Sequence, residues 1–147
     1  MIITSPSFDD GNTIPKKFTC DGGDINPELL IQNVPAEARS LALIMHDPDA
    51  PTAGGFTHWT VWNIDPATTL IKDESIPSGS VEGSNDAGRV GYFGPCPPPG
   101  APHHYHFQLY ALDAILDLPE AAPAAALWKE IEKHVVANAE LVGLYGR

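Results

Sequence analysis

The sequence predicts a mainly β protein, a single β-sandwich domain carrying one C-terminal α-helix, and three observations lead there. Punctuation is dense as far as residue 102, with 15 prolines and 13 glycines in 147 residues, which favours short strands joined by fixed turns over long helices. Two segments, Ser40–His46 and His58–Ile64, are apolar on both strand faces, the pattern of strands inside a sandwich and not on an open sheet. From Pro123 the chain turns Ala-rich, and Leu127, Ile131 and Val135 recur at helical spacing.

Each element follows from its own residues. Ser40–His46 and His58–Ile64 are the two buried strands. His104–Leu112 alternates more cleanly: period-2 geometry puts His103, Tyr105, Phe107, Leu109 and Ala111 on one face and His104, His106, Gln108 and Tyr110 on the other. The first set runs from a polar mouth into an apolar interior. Pro123 suits a first helical turn, so one helix is expected over 123–139. Gly143 ends it, and Leu144–Tyr145 return to the sheet. No internal repeat, linker or low-complexity tract divides the chain, and 1–147 reads as one domain. At this length about two-thirds of the unfolded surface can be buried without help from metals or disulfides.

Composition narrows the partners. A formal net charge of −11, with only 8 Lys and Arg, repels nucleic acid and anionic membrane surfaces as broad partners, though it leaves room for a small anion in a locally positive pocket. Trp59, Trp62 and Trp128 read as core, because a base-stacking platform needs basic neighbours. Met1–Phe8 has neither a basic n-region nor an apolar h-region, and no window approaches the ~18 apolar residues of a membrane span. The expected compartment is the cytoplasm, without stable membrane insertion. Cys20 and Cys96 could form one bridge, but they lack the density of a disulfide-built scaffold and the spacing of a zinc site, so a bridge is the minor reading.

Chemistry concentrates in three places. Asp47-Pro48-Asp49-Ala50-Pro51 holds two carboxylates between prolines directly after a buried strand; taken alone it reads as a turn. His58 opens a strand after Gly54-Gly55-Phe56-Thr57, where a lone histidine is more often structural than a ligand. The third, Gly91 to Tyr105, is a Gly/Pro-rich loop that delivers His103, His104 and Tyr105 into a strand. Glycines allow close backbone approach and prolines remove freedom that binding would otherwise cost, so this loop reads as a wall of a small-ligand site. Together the three supply an anion pocket: a carboxylate orients an imidazole, the imidazole donates to an oxyanion, and loop N–H groups provide the rest. His104-x-His106 lacks a third metal ligand, so neither a metal nor another cofactor is expected. His46 reads as a core or rim residue and His134 as a helix-end residue favourable to the macrodipole. Asp9, Asp10, Asp73, Glu74 and Glu82 read as solvated loop charges.

In combination, Asp47-Pro-Asp-Ala-Pro51, His58-Trp59, Gly94-Pro-Cys-Pro-Pro98 and His103-x-Tyr105 resemble the phosphatidylethanolamine-binding protein family, in particular its bacterial Raf-kinase-inhibitor-like branch. The resemblance runs from Phe18-Thr-Cys-Asp-Gly22 and Asn26-Pro27 to Leu141-Val-Gly-Leu-Tyr145, essentially the whole chain. It implies a Greek-key sandwich with a helix near the C-terminus and a small pocket that accepts phosphate, acetate or phosphoethanolamine-like groups. Residue by residue, it implies ligand binding by Asp47, Asp49, His58, Gly94, Pro95, His103 and Tyr105. Many relatives carry His-Arg-Tyr where this chain has His103-His104-Tyr105, which removes a permanent positive charge from the opposite strand face. The resemblance further implies regulation of a kinase or protease by contact and, from the bacterial branch, a homodimer.

Two function classes follow. The first is a binding module for a phosphorylated head group or a similar small anion. The second is a hydrolase using Asp, His and Tyr as acid–base groups. Against the hydrolase, no Ser, Thr or Cys lies in a recognisable elbow beside a base, and Cys96 is enclosed by prolines that have no N–H for an oxyanion hole.

Overall fold

A computed structural model describes residues Met1–Arg147. Eight strands and one helix follow in chain order: β1 (Ile2–Thr4), β2 (Leu29–Gln32), β3 (Ser40–Asp47), β4 (Phe56–Ile64), β5 (Leu70–Ile71), β6 (Val81–Glu82), β7 (His103–Leu112), α1 (Ala124–His134) and β8 (Val135–Tyr145). β1-β2-β5 form one antiparallel sheet and β6-β4-β3-β7-β8 the other. In the larger sheet β7 returns by a long connection to lie beside β3, which is the Greek-key arrangement.

The two-faced burial of β3 and β4 comes from three layers. One face of the large sheet packs on the small sheet through Leu41, Leu43, Met45, Trp59, Val61, Phe107 and Leu109, against Ile3, Leu29, Ile31 and Ile71. The other face, with Ala42, Ile44 and Trp62, is covered by Leu127 and Ile131 of α1 and by Leu116 and Ala122 before it. Trp59 and Trp62 are core as expected, whereas Trp128 is only partly buried, edge-on to Tyr110 at 5.5 Å.

The helix is shorter than its spacing suggested. It stops at His134, and residues 135–142, expected as its last turn and exit, begin a strand that pairs with β7 from Val135 to Tyr145. Val135 and Val136 are β-branched and suit an extended chain, and ten ladder partners outweigh a weak helical propensity. His134 ends the helix as read, its Nδ1 2.9 Å from Asp113 Oδ1. Glu82 is also not a free loop charge: it lies in β6 and accepts from Trp59 Nε1 at 2.9 Å.

Cys20 and Cys96 are joined by a disulfide across 76 residues, contrary to the favoured reading of the sequence. Cysteine density signals only domains that cannot build a core, and this domain builds one, so the pair gave no compositional warning. In the chain-entropy view, closing such a loop restricts the unfolded state by about 4 kcal/mol. Bridges of this kind persist in oxidising surroundings and are usually opened in a reducing cytosol, which weighs against the cytoplasmic expectation. No helix is long and apolar enough to cross a membrane.

Gly143 does not end a helix but sits inside β8, opposite Tyr105, at a crowded core position. A Cβ there would lie 2.4 Å from Ile14 Cγ1 and 2.8 Å from Phe8 Cε2. Gly143→Ala is therefore expected to lower unfolding free energy by about 1–3 kcal/mol through overpacking. An unchanged urea midpoint would contradict this packing.

Candidate functional site

The site lies where β3 ends and β7 begins. Their antiparallel pairing, with His46 opposite His106, brings Asp47 to the same end of the sheet as His103 and Tyr105. β4 contributes through an irregularity. Met45 pairs with Trp59 but His46 pairs with Thr57, so His58 is an additional residue in its strand. Such a bulge re-aims a side chain. Here the His58 ring meets Tyr105 edge-on at 5.2 Å, on the inner face of the sheet.

Asp47, His58, His103 and Tyr105 line one cavity of about 260 Å³. Its walls are completed by Ala50, Pro51 and Thr52 after β3, by Phe56 and Phe93, and by Cys96, Pro97 and Pro98. Asp47 is buried, and both its oxygens are engaged. Oδ2 accepts from His103 Nδ1 at 2.7 Å, and Oδ1 accepts from the Asp49 N–H at 2.8 Å. The first bond places the His103 proton on Nδ1 and leaves Nε2 for a ligand. Acid–imidazole pairing expected from the sequence is therefore present, and Asp49 pairs likewise with His104.

His58 is held from behind. Its Nδ1 donates to the Phe93 carbonyl at 2.7 Å, and the Phe93 N–H returns a bond to the His58 carbonyl at 3.0 Å. The ring stacks on Phe93 at 5.6 Å with an 11° interplanar angle, and Arg89 lies 4.9 Å over that same phenyl ring. Burial pushes the His58 imidazole below its ordinary value, outweighing the Phe93 carbonyl and the Asp47 carboxylate that favour the charged form. The resting ring is neutral at pH 7. Tyr105 is pushed above the usual tyrosine value, first by burial and then by Asp47 and Asp49, with the Cys96 N–H opposing. Its hydroxyl stays protonated, is buried, and has no acceptor for its proton.

Three sequence-predicted site residues fall outside the cavity. Asp49 is a brace: its Oδ2 accepts from both the backbone N–H (2.8 Å) and Nδ1 (2.7 Å) of His104, tying the turn after β3 to β7. Those two bonds hold its carboxyl below the usual range. Gly94 does not offer its N–H to a ligand, because that group donates to Asp24 Oδ1 at 2.7 Å. Glycine is needed there for close approach: a Cβ would lie 2.5 Å from the Phe18 carbonyl oxygen. Pro95 turns its carbonyl to the Cys20 N–H at 3.1 Å. The loop thus supplies the cavity with the apolar faces of Cys96–Pro98 and not with a nest of N–H groups.

Sequence reading passed over Phe56 and Phe93, whose rings pack on His58. Phe56 stands two positions before His58 and Phe93 just before Gly94, but neither spacing announces the contact. Of the remaining histidines, His104 and His106 face the other side of β7, where His106 Nδ1 sits 3.2 Å from Glu140. His46 is partly buried beside Thr57. No Lys or Arg lines the cavity. Positive charge inside it can come only from the imidazoles.

Comparison with known proteins matches this architecture. The sequence model described as phosphatidylethanolamine-binding protein covers residues 4–146. A UPF0098 protein of Methanothermobacter thermautotrophicus is 46% identical over 100% of this chain and 99% of its own length. A crystal structure of a phosphatidylethanolamine-binding protein homolog from Chlamydia trachomatis superposes with a TM-score of 0.93 at 40% identity, covering 99% of this chain and 97% of that one. YbcL of E. coli, described as a member of the mammalian PEBP family, gives the same TM-score at 32% identity and the same coverage. The chain belongs to the phosphatidylethanolamine-binding protein family.

Because folded His58 takes its proton at lower pH than the unfolded ring, the unfolded chain binds that proton first. This group therefore makes folding less favourable as pH falls below about 6.5. Nitrogen NMR is expected to show His58 as the Nδ1–H tautomer with a midpoint below 6.5. A midpoint at or above that value would contradict the buried, carbonyl-bound ring.

Proposed function

We propose that the cavity binds a small phosphate-type oxyanion, free or as a head group such as phosphoethanolamine, and that the protein acts as a binding module. The observation that carries this reading is Tyr105: its buried hydroxyl has no protein acceptor, and the residue lines the same cavity as His58 and His103. Buried polar groups are normally satisfied, and one left open at a cavity is accounted for by a ligand. The family description names a phospholipid, and the volume decides how much of it would fit. About 260 Å³ lies below the ~300–1,000 Å³ typical of drug-sized ligands. A head group fits and acyl chains do not.

With no permanent cation in the lining, anion binding draws on imidazole protonation. The His103 Nε2–H and His58 Nε2–H then act as charge-assisted donors beside the Tyr105 hydroxyl. Asp47 supports the charge on His103 through the 2.7 Å bond.

A second reading, a hydrolase, draws on the same Asp47–His103 pair as a general base acting on water. The candidate protein nucleophiles at the cavity favour the binding reading. Cys96 Sγ is committed to a disulfide and the Thr52 hydroxyl donates to the Gly55 carbonyl at 2.8 Å. Steady release of phosphate from a phosphomonoester, abolished by His103→Ala, would establish the hydrolase instead.

Calorimetry with inorganic phosphate tests the binding module. Tyr105→Phe is expected to weaken affinity about tenfold or more, the scale of a hydrogen bond to a charged group. Its thermal midpoint should change little, since the hydroxyl proton has no internal acceptor to lose. His103→Ala and His58→Ala are expected to weaken binding while leaving the protein folded. Equal affinity in wild type and all three variants would remove the assignment.

Sulfate, whose own charge is constant near neutrality, should bind more tightly as pH falls below about 6.5, the ordinary imidazole value. The gain continues to lower pH for His58, whose proton affinity burial reduces. A flat profile would mean that neutral donors alone hold the anion.

A further inference from the structure

We propose that the Cys20–Cys96 disulfide is a redox latch on the cavity: bridged, it holds one wall in the binding shape, and reduced, it releases that wall and weakens anion binding. The inference rests on the reading of the cavity as an oxyanion site.

Cys96 belongs to the cavity wall together with Pro97 and Pro98. Few contacts fix this stretch. Upstream, the Gly94 N–H donates to the Asp24 carboxylate at 2.7 Å and the Pro95 carbonyl accepts from the Cys20 N–H at 3.1 Å. Downstream, the Gly100 N–H donates to the Arg147 carbonyl at 3.2 Å. Between them, Pro97 and Pro98 have no N–H, and the polar contact recorded for the span is Arg147 Nη1 to the Pro97 carbonyl at 3.4 Å. The disulfide is the one covalent tie from the wall to the body of the protein. Opening it leaves Cys96–Pro98 held between the two anchors by the packing of buried Pro97, the long Arg147 hydrogen bond and the Cys96 N–H beside Tyr105, with no covalent cross-link.

The wall also bears on the binding hydroxyl. The Cys96 N–H lies near enough to the Tyr105 phenol to favour its ionised form. Displacing Cys96 therefore changes both the shape of the cavity and the surroundings of the donor argued to hold the ligand.

The bridge is placed to react. Cys96 is exposed and Cys20 partly exposed, so a dithiol reductant reaches Cys96 Sγ from solvent. Its thiolate attacks Cys96 Sγ, the protein S–S bond breaks, and Cys20 leaves as a thiolate that takes up a proton. Arg147 Nη2 stands 3.5 Å from Cys20 Sγ, where it can donate to the departing sulfur while sharing its charge with Asp21. The second thiol of the reductant then attacks its own mixed-disulfide sulfur and releases Cys96. Two electrons pass from the dithiol, which ends as a disulfide, to the two protein cysteines.

The test is a phosphate titration followed at the His58 and His103 imidazole signals, on oxidised protein, on protein reduced with dithiothreitol, and on Cys20→Ser/Cys96→Ser. Circular dichroism monitors the fold of each. We expect the reduced form to bind about tenfold more weakly, recovery on reoxidation, and a double variant that matches the reduced form and ignores the reductant. Equal affinity in oxidised and reduced protein would overturn the latch while leaving the anion site standing. Global unfolding on reduction would also overturn it, making the bridge a fold staple. Absence of phosphate binding by the oxidised protein would overturn the anion reading, and the latch with it.

Discussion

Burial of β3 on both faces is the constraint from which the rest of this structure follows. The strand is bonded along both edges, to β4 and β7, and packed on one face by the small sheet and on the other by α1. A strand enclosed on four sides cannot slip register without exposing one apolar set and burying backbone polar groups unpaired. Its end is therefore a fixed point. Asp47 inherits that rigidity, and through the 2.7 Å bond to His103 passes it to the start of β7. The β4 bulge then sets His58 against the same corner.

The cavity has carboxylate and imidazole but no lysine or arginine among its lining groups. The guanidinium in the aromatic stack, that of Arg89, lies over Phe93 and does not line the cavity. Charge in the cavity is thus conditional on protons, while the walls are largely apolar and proline-stiffened. In the proposed reading, the ligand is small and brings its own negative charge. The proposed anion would meet little repulsion from the carboxylates at this end of the sheet, because Asp47 and Asp49 are already paired with His103 and His104.

Much was legible in the residues because local chemistry and tertiary role agreed. The strand at His103–Leu112 shows its faces by alternation, and His103 and Tyr105 share the inner face as that alternation requires. Doubly apolar segments announced buried strands, and the motif set identified the family. Where local and tertiary preferences diverged, reading failed. Val135 and Val136 sit at helical spacing after a true helix, yet a ten-partner ladder with β7 draws them into a strand. Gly94 looked like a ligand-facing glycine and instead allows a carbonyl to approach its backbone.

By itself, the sequence determined the sandwich class, the acidic net charge, and the residue types at the site, because these depend on composition, period and turn chemistry. Only the tertiary structure decided which of those residues meet. It turned Asp49 outward to brace His104, brought Phe56 and Phe93 onto His58, and joined Cys20 to Cys96 across 76 residues. The reason is physical: such contacts are made between strand ends and loops far apart in sequence, and their geometry is set by how the layers pack and not by any local pattern of residues.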